Sequence, residues 1–232
     1  MSMTGDVQTM QERVLNELDR PRAVDGDIAL TCIIDSIEEY RWHPFHWNTN
    51  FVGGTIAADA NTLDVLSTVP DFLSVLEFWI ANVSTVRNSQ VFECGMSEFR
   101  VVSDRNSGYK GRPINMIYHG QVLEFDRVLD EDYTFVMDYI KDIGTPSYNF
   151  DSGEQQWEFL DPSGAALPAD YTSSWFTYAD ELIRSSSKRR IYESYLKDQE
   201  AASNSMQLEQ RALERLGTIF RTRPPRRTNW RA

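Results

Sequence analysis

Two histidines and two glutamates lie close enough in the sequence to raise the question of a metal site. His43 and His46 follow Glu38 and Glu39. A zinc site on a helix needs two ligands on one face, typically four residues apart. Here the histidines are three residues apart, and Pro44 between them breaks the helical register. The pattern therefore favours half-exposed histidines at an aromatic helix end over a metal centre.

An acidic stretch contains enough carboxylates for a two-metal nuclease site. Its members are Glu124, Asp126, Asp130, Glu131 and Asp132. The first two alternate with Leu123 and Phe125, which predicts the solvent face of a strand. The last three are typical of a hairpin turn. We therefore interpret these acids as surface residues.

The serines and the Lys-Gly-Arg segment do not form a nucleophile motif or a phosphate-binding motif. Ser173, Ser174 and the run Ser185–Ser187 are not in a nucleophile elbow. Lys110-Gly111-Arg112 lacks the glycine spacing of a phosphate loop. We accordingly expect no catalytic residue, no metal and no cofactor, and a protein that is not an enzyme.

The final twelve residues, RTRPPRRTNWRA, carry five arginines and no acid. Two adjacent prolines hold this segment extended, which lowers the entropy lost on docking. Tryptophan and arginine are also residues that interface hot spots favour. The segment can be a solvated tail, a phosphate-binding tail or an arm that docks into an acidic protein groove. The predicted partner-binding residues are Arg221, Arg223, Pro224, Pro225, Arg226, Arg227, Trp230 and Arg231.

The charge of the rest of the chain contrasts with this tail. The formal net charge is −12, and residues 221–232 contribute five positive charges, so residues 1–220 carry −17. An acidic body repels nucleic acid at contact distance. The two cysteines, Cys32 and Cys94, have no motif and suggest a reducing cytoplasm. We expect neither a signal peptide nor a membrane-spanning segment.

Hydrophobic periodicity predicts helices at both ends of the chain. One helix covers Asp6–Asp19, and a second begins near its N-cap Asp25 and ends at Pro44. The segment from Trp175 predicts two long helices joined with almost no loop. Their expected buried faces are, respectively, Phe176, Ala179, Ile183, Ser187, Ile191 and Tyr195, and Ala202, Met206, Leu213, Leu216 and Phe220.

The middle of the chain changes to a period of two residues, which predicts strands. We expect strands at Phe51–Ile56, Phe72–Val83 and Asn88–Phe92, then a short helix with Ser97 as candidate cap. Residues Ile114–Ile140 predict three antiparallel strands in a meander. We expect an irregular connector, 144–170, to follow, with a short strand at Trp157–Leu160.

The predicted fold class is α+β, a helical bundle of N- and C-terminal helices with an inserted antiparallel β-sheet region. The predicted domains are residues 1–47 as N-terminal bundle helices, 48–172 as the inserted β-rich domain with the long loop 144–170, 173–220 as the C-terminal helical hairpin, and 221–232 as a basic extended tail.

The order of these parts resembles the head-to-tail adaptor, or neck, proteins of short-tailed bacteriophages. The resemblance rests on the motif DSIEEYRWHPFHWN, on Pro70-Asp71-Phe72-Leu73, on the run from Gly111-Arg112-Pro113 through Tyr118, Gly120, Leu123, Phe125 and Tyr133 to Tyr139, on Tyr178–Arg184 and on Ala201–Leu216. The chain departs from the family at Arg127-Val128-Leu129, where the family often has Pro-x-Pro.

The resemblance implies a structural protein of the virion neck, assembled in the host cytoplasm. It would form a homo-oligomeric ring, usually a dodecamer, below the portal protein. The C-terminal helix and basic tail would dock on the portal, and the opposite face would meet tail nozzle or tail fibre proteins. DNA would pass through the channel without specific binding. The alternative from the residues themselves is a DNA-binding or DNA-processing protein that uses the arginine-rich tail on phosphates.

Overall fold

The computed structural model describes residues 4–18, 24–82, 88–106, 108–149, 156–160 and 173–221. In chain order the elements are α1 (Thr4–Asn16), α2 (Gly26–Tyr40), β1 (Thr49–Ile56), β2 (Thr62–Asp64), α3 (Val65–Thr68), β3 (Phe72–Asn82), β4 (Asn88–Glu93), α4 (Met96–Asn106), β5 (Asn115–His119), β6 (Val122–Phe125), β7 (Tyr133–Lys141), β8 (Thr145–Asn149), β9 (Gln156–Leu160), α5 (Ser174–Tyr178), α6 (Asp180–Ile191) and α7 (Gln199–Arg221). A π-helical turn, Tyr192–Leu196, follows α6.

The chain divides into two compact units. Met1–Trp47 and Ile143–Ala232 form one, called here the helical unit, and Asn48–Asp142 form the other, called the sheet unit. Each unit has its own cluster of buried apolar side chains.

The second helix begins where the sequence predicts. The Asp25 side chain accepts a hydrogen bond from the Asp27 N–H and caps α2, which confirms the predicted cap. The helix ends at Tyr40, before the predicted stop at Pro44. The Tyr40 carbonyl then accepts from the His43 N–H, so a turn separates the helix from the proline.

Small side chains bring α2 and α6 together inside the helical unit. Ser36 and Ser187 are fully buried, and their hydroxyl oxygens lie 3.3 Å apart. Each hydroxyl also bonds the carbonyl of the residue four positions earlier, Cys32 and Ile183 respectively. The hydroxyls are therefore satisfied without water, and the helices approach closely because no bulky side chain separates them.

The connection from α6 to α7 is set by the π-helical turn. Tyr192 is buried, whereas Tyr195, predicted for the buried face, is 48% exposed. The wider turn rotates Tyr195 away from the direction that a regular helix would give it. Lys197 takes a left-handed conformation with φ of 53°, and the Asp198 side chain accepts from the Ala201 N–H at the start of α7.

The sheet unit contains one seven-stranded sheet in the order β1-β7-β3-β4-β5-β6-β2. Its buried face carries large apolar residues, including Phe78 and Phe135, whose stacked rings lie 5.4 Å apart. Strands β4 and β5 are parallel, and all other neighbouring strands are antiparallel. Helix α4 supplies the crossover that a parallel pair requires.

The predicted fold class, a helical bundle with an inserted antiparallel β-sheet region, is wrong. The sheet is a curled, mixed, seven-stranded sheet and not a small antiparallel insertion. A further two-stranded sheet, β8–β9, lies in the helical unit. The parallel pairing of β4 and β5 was not predicted, because alternation of apolar residues indicates which side chains are buried but not the direction of the neighbouring strand.

The predicted meander over Ile114–Ile140 is correct for two strands and wrong for the third. Strands β5 and β6 form the expected antiparallel hairpin. Strand β7 leaves this hairpin and lies between β1 and β3, where it pairs with both. Strand β7 has an apolar residue at every second position, and this pattern fits either place in the sheet.

Candidate interaction site

The predicted arginine-rich site begins at the end of the longest helix. Arg221 is the last residue of α7. The other predicted residues, Arg223, Pro224, Pro225, Arg226, Arg227, Trp230 and Arg231, lie outside the described residues. The geometry that can be examined is therefore that of α7, which carries this segment.

One buried carboxylate anchors α7 to its neighbours. Glu209 is 6% exposed. Arg189 of α6 reaches it through two nitrogens, with Nε 2.6 Å from Oε2 and Nη2 3.2 Å from Oε1. The Tyr40 hydroxyl of α2 donates to Oε1 over 2.6 Å. Three helices thus meet at a single side chain.

The electrostatics of this contact favour the charged pair. Burial by itself disfavours the Glu209 carboxylate, but the hydrogen bonds from Arg189 and Tyr40 outweigh it, so the pKa of Glu209 lies below its ordinary value. The hydrogen bond to Glu209 raises the pKa of Arg189. Burial and then the bond to Glu209 raise the pKa of the Tyr40 hydroxyl. Glu209 is therefore ionised and Tyr40 neutral at pH 7.

Sequence periodicity missed this anchor and misplaced part of the α7 core face. Met206, predicted to be buried, is 58% exposed. Ala202 is buried as predicted, and Leu213 and Leu216 are partly buried, whereas the side chain of Phe220 lies outside the described residues. The other buried positions in the described part of α7 are Ser205, Glu209 and Ala212. In the sequence, a helix face of small residues that contains one carboxylate indicates close helix packing around a buried ion pair. A stripe chosen by hydrophobicity alone passes over it.

The sheet unit presents a second candidate surface, on the face of the sheet opposite to its core. Three aromatic residues point outward there: Phe51 of β1, Trp79 of β3 and Phe92 of β4 are 57%, 37% and 56% exposed. The register places Val136 of β7 beside Trp79, and Val136 is half-buried. We call the part of this surface formed by β1, β7 and β3 the outer sheet face.

Two carboxylates lie opposite each other on the outer sheet face. Glu77 of β3 pairs in register with Asp138 of β7, and Asp138 in turn pairs with Phe51 of β1. The Trp79 Nε1 donates to Glu77 Oε2 over 3.0 Å. Burial and then the Glu77 charge raise the pKa of Asp138 above its ordinary value. Like charges placed directly opposite destabilise a sheet, so this pair costs stability unless a cation covers it.

The histidines considered for a metal site lie in an aromatic cluster. His43 contacts the ring of Phe45 at 4.7 Å, and His46 contacts Trp47 at 4.8 Å and Tyr178 at 5.3 Å between ring centroids. Among the described residues, no group of three or more His, Cys, Asp and Glu side chains is arranged as a metal site.

The acidic stretch has mixed roles. Asp126, predicted on the solvent face, is 2% exposed and accepts hydrogen bonds from the Ile114 and Asn115 N–H groups. It satisfies main-chain donors beside β5, which strand alternation cannot reveal. Glu124 lies 2.7 Å from His119, and Asp130 accepts from the Tyr133 hydroxyl.

The chain matches no protein-family model, and no curated protein matches it. In the part of the chain that the structure describes, none of the helices has the length and apolar character needed to cross a membrane.

Proposed function

We propose that this protein is a structural adaptor of a short-tailed phage virion, forming a ring between portal and tail. The proposal rests on the sequence resemblance to neck proteins and on one physical observation. The acidic body of −17 charges ends in a segment with five arginines and no acid. This charge contrast suits an arm that docks on another protein while the body remains soluble.

The packing of α7 supports the use of its C-terminal end as an attachment arm. The Glu209 contact fixes the middle of the helix to α2 and α6. The helix continues for twelve residues beyond Glu209 to Arg221, which corresponds to about 18 Å at the helical rise. An anchored helix places the arginine-rich segment in a reproducible direction, which reduces the entropy lost on docking.

In the proposed assembly the C-terminal helix and residues 221–232 bind the portal protein. The opposite face of the ring meets tail nozzle or tail fibre proteins, and the genome passes through the channel. The acidic charge fits this last role, because a surface that repels DNA does not hold it during passage. No catalytic step is part of the proposal.

The test is deletion of Arg221–Ala232 in the full chain. We expect the shortened protein to keep its circular dichroism spectrum and to lose co-sedimentation with portal protein from the same phage. The matched control is Arg211→Gln, which removes an exposed arginine of α7 upstream of the arm and should leave portal binding unchanged. Full portal occupancy by the shortened chain would show that the arm does not dock.

The competing function, DNA binding through the same arginines, gives a different result. It expects DNA affinity that falls steeply with salt and disappears when Arg221, Arg223, Arg226, Arg227 and Arg231 are neutralised. A filter-binding titration without affinity at low salt excludes that function. Affinity at low salt without portal binding would favour it over the adaptor.

A further inference from the structure

Strand β1 lies at one edge of the seven-stranded sheet. It pairs with β7 on one side and with no other strand in the described part of the chain. Its eight residues, TNFVGGTI, stay in register with β7 without a bulge. Natural edge strands are usually blunted by charged side chains, proline or bulges. This strand has none of the three.

The free side of β1 offers a row of main-chain hydrogen-bonding groups. The Lys141 N–H donates to the Asn48 carbonyl over 2.7 Å, and hydrogen-bonded and non-hydrogen-bonded pairs alternate along an antiparallel ladder. The alternation leaves every second residue of β1 with its N–H and C=O directed away from β7. These residues are Thr49, Phe51, Gly53 and Thr55. The Phe51 N–H donates to Asn50 Oδ1 over 3.0 Å, so an added strand has to displace this side-chain bond to use that donor.

The outer sheet face beside this edge carries a pair of carboxylates. From the edge inward, one row of side chains consists of Phe51, Asp138 and Glu77. Within the described residues, no basic side chain forms an ion pair with either carboxylate. The exposed ring of Phe51 lies between the free edge and the acid pair.

We propose that β1 binds an extended segment of a tail-side protein as an added strand, with an arginine or lysine of that segment over Phe51 and against the Asp138–Glu77 pair. An added strand would lie about 10 Å from β7, two strand spacings away. A long cationic side chain in the Phe51 row spans most of this distance and packs on the aromatic ring. Main-chain bonds supply affinity, and the cation supplies specificity.

The acid pair favours a basic segment of another protein over a second copy of this chain as the strand that pairs with β1. Strand β1 contains no charged residue, so pairing of β1 with β1 brings no cation to the acid pair. Such pairing is also two-fold and closes a dimer, whereas a ring needs a head-to-tail contact. The other sheet edge, β2, has three residues and contains Asp64, which adds negative charge. A basic segment of a different protein supplies both main-chain hydrogen bonds for the β1 edge and a cation for the Asp138–Glu77 pair.

The proposal rests on the proposed function for naming the partner as a tail-side protein and for the ring argument against a β1–β1 dimer. The experiment therefore uses neither portal nor tail. A random heptapeptide library is selected against the immobilised full chain, against Thr55→Pro and against Glu77→Gln/Asp138→Asn. The Thr55 N–H points away from β7, so proline there blocks the edge and preserves the β1–β7 ladder. If this variant does not fold, Thr55→Lys replaces it as an edge-protecting charge.

We expect arginine or lysine to be enriched at least tenfold at one position of the peptides selected by the unmodified chain. The enrichment should vanish on the Gln/Asn variant, and binding itself should be lost on the Thr55 variant. Selection that is equal on the unmodified chain and the Thr55 variant, or that shows no cation, overturns the proposal. Sedimentation of the unmodified chain and of the Thr55 variant gives a second test. If the unmodified chain forms oligomers that the Thr55 variant does not form, a second copy of the chain occupies β1 and the proposal is wrong. Peptide binding that appears only after removal of residues 221–232 would assign β1 to the basic tail.

Discussion

The buried contact between Arg189 and Glu209 predicts that its two partners are not equivalent. Replacing Arg189 by Met leaves the buried Glu209 carboxylate without its charged partner, with only hydroxyl donors, Tyr40 and the buried Ser186, beside it. Breaking a buried pair in this way costs about 3–5 kcal/mol of unfolding free energy. Replacing Glu209 by Gln removes the buried charge instead. The expected loss is then about 1–2 kcal/mol, because Gln keeps an acceptor for Tyr40.

The structure gives a further reason for the smaller loss with Glu209→Gln. Arg189 Nη2 also lies 3.2 Å from Glu39, and its Nη1 lies 3.3 Å from Glu193. Both glutamates are exposed, so the guanidinium keeps two acidic neighbours that remain in contact with water. The double variant Arg189→Met/Glu209→Gln should be more stable than Arg189→Met alone, since it contains no orphaned buried charge.

Urea unfolding followed by circular dichroism at 222 nm reports on these variants, because most helical residues belong to the helical unit. Acid provides an internal check. The pKa of Glu209 is lowered in the fold, so the stabilisation from the pair is present at neutral pH and is lost as pH falls through that folded pKa. The deficit of Arg189→Met should therefore shrink below about pH 4.5, the ordinary range of a glutamate. Equal losses for both single variants, or additive losses in the double variant, would refute the reasoning.

Two further predictions concern titratable groups in other places. Asp138→Asn should raise the free energy of unfolding at pH 7 by about 0.2–1 kcal/mol in thermal unfolding, because the folded-state pKa of Asp138 is raised and its charge opposes Glu77. The gain should fade as acid protonates the unmodified aspartate. A loss of stability at pH 7 would contradict this prediction. Burial raises the pKa of Cys32 to about 11, and burial followed by nearby acids also raises the pKa of Cys94, but Cys94 is only half-buried. A thiol reagent at pH 8 should therefore modify Cys94 first, because access to the thiol differs more clearly than its ionisation. Faster modification of Cys32 in a Cys94→Ser variant than of Cys94 in Cys32→Ser would contradict the buried position.

Local signals in the sequence predicted the beginnings and types of many elements correctly. Asp25 caps α2, as its position before an apolar helical stripe indicates. The period of two over β1, β3 and β4 predicted strands at these places. Ser97 failed as a cap because α4 begins one residue earlier, at Met96. Helix boundaries are the weakest part of such predictions, since terminal turns depend on what packs around them.

The buried stripe of α7 shows why sequence alone could not predict the candidate site in full. A stripe chosen by hydrophobicity includes Met206, yet the buried face contains Ser205 and Glu209 and leaves Met206 exposed. Arg189 lies twenty residues from Glu209 in sequence and Tyr40 lies much further away. Only packing of three helices makes that carboxylate a favourable buried group, because its charge is compensated through partners that are distant in the chain.

The amino-acid sequence by itself determined the contrast between an acidic body and a basic end, since charge is a property of composition and survives any fold. It also determined where the long helices and the strands β1, β3 and β4 form, because their periods follow from local backbone geometry. Strand order, the parallel β4–β5 pair and the edge position of β1 were decided by tertiary structure. Alternation specifies which side of a strand is buried, but hydrogen bonding between distant segments selects its neighbours, and a strand becomes an edge only when no segment pairs beside it.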